Sequence, residues 1–166
     1  MAKLSGNNYA FIDSQNLNLA INDQGWRLDF KKYRKYLSHK YSIKKAYLFI
    51  GYLPKNQSLY NALEDYGYIL IFKNVLKTSK GVIKGNVDAE LVLHSMIQYK
   101  NYDKALIVSG DGDFFCLVDY LLEKKKLLKL MVPNKSQFSS LYRKKMPHLI
   151  FMNNLKQNLE HKNKQK

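Results

Sequence analysis

The chain has 166 residues, the length of one ordinary domain, which buries enough surface to fold without disulfides or a structural metal. Cys116 is its single cysteine, which excludes an internal disulfide and every multi-cysteine metal site and fits a reducing compartment, the cytoplasm. Lys and Arg number 28 against 13 Asp and Glu, so the formal net charge is +15 and a polyanionic partner, nucleic acid first, is expected. The plainer reading of the same count is a surface solubilised by lysine. No stretch approaches the ~20 apolar residues of a membrane span, and residues 1–8 lack an apolar signal core, so no membrane partner is expected.

Residues 9–12 read as a first strand, apolar and short, running straight into Asp13. Phe30, Tyr33 and Leu37 then share a helical face, followed by a strand over 46–50. Leu59, Leu63 and Tyr66 mark a second helix, stopped by Gly67, before a strand over 68–72. Residues 74–85 carry Thr78, Ser79, Gly81 and Gly85 with Lys77, Lys80 and Lys84, and predict an exposed basic flap. Val87, Leu91, His94 and Ser95 keep a helical period, the strand at 105–108 follows, and Phe114, Leu117, Val118 and Leu121 form the next helical face. Residues 128–132 give a fifth strand ended by Pro133, and 149–152 a sixth at an edge.

This alternation predicts an α/β fold, a three-layer α/β/α Rossmann-like sandwich on a mainly parallel sheet. One domain covers residues 1–153, and 154–166 form a polar, basic tail expected to fray.

The acids fall where such a fold binds ligands. Asp13 follows the first strand, Ser109-Gly110-Asp111-Gly112-Asp113 follows the fourth, and Asp88 opens the helix between. Helices run antiparallel to the strands, so all three segments reach the carboxyl edge of the sheet. Carboxylates crowded in a basic protein repel unless a cation or raised pKa values relieve them. Without His or Cys partners they favour a hard ion, Mg2+ or Mn2+, which polarises a phosphodiester and activates water. Each acid also has a structural use. Asp13 closes a turn, Asp88 complements a helix dipole, and Asp113 caps a helix beginning at Phe114. Asp111, between two glycines, lies where a backbone turns sharply.

Residues 11–16 (Phe-Ile-Asp-Ser-Gln-Asn), 84–88 (Lys-Gly-Asn-Val-Asp) and 109–114 (Ser-Gly-Asp-Gly-Asp-Phe) resemble, in order, three signatures of the NYN domain family of the PIN-like nuclease superfamily. The resemblance spans residues 9–153. It implies a PIN-like fold, a Mg2+- or Mn2+-dependent ribonuclease, here taken as an endoribonuclease, and catalytic or metal-binding roles for Asp13, Asp88, Asp111 and Asp113. Asn16 matches the motif asparagine, with a water or phosphate oxygen as its catalytic partner and a loop-capping amide as the alternative. Lys84, Lys80 and Ser109 are the substrate-binding candidates. Two positions depart from the family. His94 stands where many members carry a further aspartate, and Ser14 where glycine is common.

Single-stranded or structured RNA is the expected partner, and a homodimer is one open assembly. The alternative is a non-catalytic RNA-binding module of the same fold, and a small-molecule phosphatase fits the charge poorly. His94 beside Leu91 and Val92 reads as a partly buried helix residue, and Cys116 between Phe115 and Leu117 as inert core packing rather than a nucleophile. The unit at 111–113 lacks the further ligands of a calcium loop. Tyr33, Tyr36 and Tyr41, interleaved with lysines, either stack on unpaired bases or belong to the core face of one helix.

Overall fold

The computed structural model describes residues 5–73, 76–77, 79, 83–84 and 87–163, with backbone alone at 76–77 and 83–84. Strand β1 (Asn8–Asp13) is buried along its whole length and runs directly into helix α1 (Ser14–Asn22). Next come α2 (Phe30–Tyr41), β2 (Ile43–Gly51), α3 (Gln57–Asp65) and β3 (Tyr68–Lys73). A short antiparallel pair follows, β4 (Leu76–Lys77) with β5 (Ile83–Lys84), and then α4 (Asp88–Ile97), β6 (Ala105–Val108) and α5 (Phe115–Glu123). Strand β7 (Leu127–Val132), a 3-10 stretch (Ser140–His148), β8 (Leu149–Phe151) and α6 (Lys156–Leu159) complete the chain.

Six strands pair in the order β3-β2-β1-β6-β7-β8, every neighbour parallel, as the sequence pattern predicts. Strand alternation then sorts the core into two layers. Ala10, Ile12, Leu48 and Val108 face α1 and α2 through Leu17, Ile21, Tyr33 and Leu37. Tyr9, Phe11, Phe49 and Ile107 face α4 and α5 through Leu91, Leu117, Val118 and Leu121. The fold is a three-layer α/β/α sandwich. From the central strand β1 the chain leaves toward β2 on one side, and from β6 toward β7 on the other. A crevice therefore opens beyond the carboxyl ends of β1 and β6, the place where open α/β sheets bind ligands.

Three expectations change. Helix α3 buries Tyr60 and Leu63 rather than the Leu59–Leu63–Tyr66 face, and leaves Leu59 44% exposed. The helix does end before Gly67, whose φ of +95° suits a residue without a Cβ. Helix α1 has no counterpart in the sequence reading. The segment beyond 153 is docked rather than frayed up to residue 161. Leu159 is buried, Asp29 N donates to Leu159 O at 2.8 Å, and His161 N donates to Arg27 O at 2.8 Å. One well-placed leucine and a short run of backbone bonds hold a polar segment that lacks a helical stripe.

Among the described residues no helix is long and apolar enough to cross a membrane.

Candidate metal centre

Asp13 ends β1 and caps α1. Its Oδ1 accepts from Asn16 N at 3.2 Å, the bond that satisfies an orphan amide of the first helical turn. Its Oδ2 accepts from Ser109 Oγ at 3.2 Å, tying β1 to the end of β6. The residue is 5% exposed, and burial pushes its carboxyl up. The bonds from Asn16 and Ser109 oppose that rise, and the charge of Asp111 adds to it.

The loop after β6 is folded around its own carboxylate. Asp111 Oδ1 accepts from Asp113 N at 2.9 Å and caps the 3-10 turn Gly112–Phe114. Asp111 N donates to Ser109 Oγ at 3.1 Å, and Gly110 N donates to Asn16 Oδ1 at 2.9 Å. Asn16 thus realises its loop-capping role through Oδ1, and it also lines the cleft. Asp113 does not cap the following helix: α5 begins at Phe115 without a side-chain cap, and Asp113 is exposed.

Neither Gly110 nor Gly112 takes a positive φ, so a sharp left-handed turn is not what these glycines supply. They supply room. A Cβ on Gly112 would lie 2.4 Å from Ser139 Oγ and 2.9 Å from Ser139 Cβ, and one on Gly110 would lie 3.1 Å from Gln137 O. Residues 137–142 therefore brace the acidic loop. Ser139 N donates to Gly110 O at 3.0 Å, and the hydroxyl of wholly buried Tyr142 donates to Asp111 O at 2.6 Å. Burial and the charge of Asp111 raise the Tyr142 phenol, which keeps it a donor. Sequence reading missed this brace, because nothing local to Ser139 or Tyr142 marks a contact made about 30 positions away.

Asp88 opens α4 across the crevice. One carboxylate oxygen from each of Asp88, Asp111 and Asp113 lies within 4.8 Å of the others. Asp13 stands just outside that set, close enough for its charge to act on Asp88. Burial first, then a hydrogen bond with Asp113 and the charges of Asp111, Asp13 and Asp113, push the Asp88 carboxyl up to about 6. The cleft enclosed by the four acids, Gln15 and Asn16 has a volume of about 350 Å³. The donor set is oxygen alone, at a spacing that a partly hydrated Mg2+ or Mn2+ spans with direct and water-bridged ligands. Such an ion would also offset the carboxylate charges that add to burial in raising the Asp88 carboxyl. The residues fit the group.

The remaining candidates divide. Ser109 is wholly buried, its hydroxyl donating to Asp13 and accepting from Asp111 N, so it supports the acids. Lys80 and the side chain of Lys84 lie outside the described residues. His94 is partly buried with its ring 5.7 Å from that of Phe49, and does not line the cleft. Cys116 is exposed, contrary to the core placement expected: Leu117, Val118 and Leu121 form the buried face of α5, and residue 116 falls on the other side. Tyr33 and Tyr41 are buried, so neither stacks on bases, and the Tyr33 hydroxyl donates to Met131 Sδ at 3.1 Å.

The NYN domain is the family that matches, over residues 9–153. The chain is 29% identical over 125 residues to the "Low amplitude and bright protein LabA" of Synechococcus elongatus, a match covering 69% of this chain and 67% of that protein. Its fold is similar to the crystal structure of a protein of unknown function from Vibrio parahaemolyticus. That likeness has a TM-score of 0.75 at 17% identity and covers 97% of this chain and 100% of the other.

Proposed function

As the chain belongs to the NYN domain family, we propose that it is a Mg2+- or Mn2+-dependent ribonuclease that hydrolyses RNA phosphodiester bonds internally, in the cytoplasm. The observation that carries the reading is the meeting of Asp88, Asp111 and Asp113 within 4.8 Å at the switch point of the sheet, in a chain of net charge +15. Acids concentrated against the overall charge repel RNA by themselves, and make sense as holders of a cation that RNA phosphate then approaches.

Asp88, Asp111 and Asp113 hold the divalent ion. When bound, it supplies Lewis-acid polarisation of the phosphodiester and of the attacking water. Asp13 sets the negative field from behind and fixes the loop through Ser109. Asn16, which lines the cleft, is a donor candidate for a phosphate oxygen, and Lys80 and Lys84 supply positive charge to the RNA. Tyr142 and Ser139 hold the backbone of the acidic loop in place.

Incubation of the purified full chain with labelled RNA and Mn2+ tests the reading. Cleavage is expected with Mn2+ and none with chelator, and Asp111→Asn is expected to lower the rate about 100-fold or more while RNA binding persists. A circular RNA, having no ends, should be linearised. Equal cleavage by Asp111→Asn sinks the enzyme reading, and binding without cleavage by the parent points to the non-catalytic module.

A further inference from the structure

A second cavity, of about 310 Å³, adjoins the acidic cleft at the carboxyl end of β2. The two share Gln15 and Val87 in their walls, so they form one continuous crevice. Phe49, wholly buried, makes the floor, and Leu53 and Leu59 make apolar walls. Leu59 is the residue of α3 that the core does not use: it is 44% exposed although its helix packs through Tyr60 and Leu63. A leucine left open on a cavity wall costs hydrophobic stabilisation that a ligand can recover.

The polar side chains of the lining are the hydroxyl of Ser14 and three amides, and Asn18 Nδ2 donates to Ser14 Oγ at 3.4 Å. Gln15, Asn18 and Asn56 reach it from α1 and from the residue preceding α3. Asn56 occupies the N-cap position of α3, where an amide oxygen usually accepts from the first turn, yet it makes no such bond. Among the described residues no Lys, Arg, Asp or Glu lines this cavity. A flat neutral group with apolar faces and a hydrogen-bonding rim matches both the walls and the amides. A nucleobase has that chemistry.

We infer that this cavity is a nucleobase subsite, holding the unpaired base next to the phosphodiester that sits at the acidic cluster. The inference rests on the reading of that cluster as the cleavage site, and it narrows the substrate to RNA that is single-stranded at the cut. Leu53 and Leu59 contact the faces of the base, and the amides of Asn18 and Asn56 read its edge. A paired base is held in its helix and does not enter.

Two measurements on the full chain test it. Side-chain amide resonances of Asn18 and Asn56 are followed as uridine, cytidine, adenosine, guanosine and ribose are added in turn, in chelator. At least one nucleoside is expected to shift both resonances saturably, ribose to leave them in place, and Leu59→Asp to abolish the shift while Leu59→Met retains it. No shift with any nucleoside, or an equal shift with ribose, overturns the subsite. In the second arm a single-stranded RNA with one abasic residue is cut in Mn2+. Cleavage beside the abasic position should fall about tenfold or more in kcat/KM, the loss expected for one base's apolar contact, and undiminished cleavage there overturns the proposal. If the unmodified RNA is not cut at all, the nuclease reading falls, and the nucleoside titration alone decides the subsite.

Discussion

At the scale of single residues, carboxylates do two jobs at once here, and the two separate experimentally. Asp88 has a folded-state carboxyl near 6 against an ordinary value of 3.8. Between those values the folded chain binds more protons than the unfolded one, so this group's contribution to stability is lost as pH rises through the window. Without divalent ion, Asp88→Asn should therefore gain on the parent between about pH 4 and 6 in urea unfolding and keep a constant offset below. A gap that does not change with pH would show that Asp88 is unshifted. Gly112 gives a steric counterpart. Gly112→Ala forces a Cβ against Ser139 and should cost about 1–3 kcal/mol. Ser139→Gly removes both clashing atoms, so the double variant should lose less than the two single losses combined. Strict additivity in that cycle would place the strain elsewhere.

At the scale of elements, each sheet strand was legible as a short apolar run, and the acids at 13, 88, 111 and 113 were legible as one cluster because strand ends and a helix start converge on one edge. Their local roles were not. Sequence gave Asp113 a rival capping role, whereas Asp111 does the capping and Asp113 comes within 4.8 Å of Asp88 and Asp111. Backbone geometry within a five-residue loop decided that, and periodicity does not encode it. Helix α1 escaped notice because three asparagines, weak helix formers, alternate with the apolar residues of Ser14–Asn22. Its buried set, Leu17, Ala20 and Ile21, still has helical spacing. Helix α6 escaped because one leucine anchors it. Leu159→Ala should cost about 2–4 kcal/mol in urea unfolding. An unchanged midpoint would mean that the segment contributes nothing to the fold.

At the scale of the whole molecule, the basic excess and the acidic crevice act in opposition. Under the proposed function, lysines and arginines outside the crevice gather RNA, and the crevice admits its phosphate with a cation present. Affinity of the Asp111→Asn variant for single-stranded RNA should fall linearly on a log–log plot against salt, with a slope near −0.7 per phosphate neutralised. A flat plot would remove counterion release, and with it the functional meaning of the +15 charge.

The brace between residues 137–142 and the loop at 110–112 reaches beyond mechanical support. The acids come from positions 13, 88, 111 and 113, and the tyrosine that holds their backbone from position 142. A nascent chain still short of that tyrosine can pair β1 with β2 and β6, but it lacks the hydroxyl that holds the Asp111 carbonyl. Under the proposed ribonuclease reading, the acidic loop is therefore braced only late in synthesis, which spares the message still being translated.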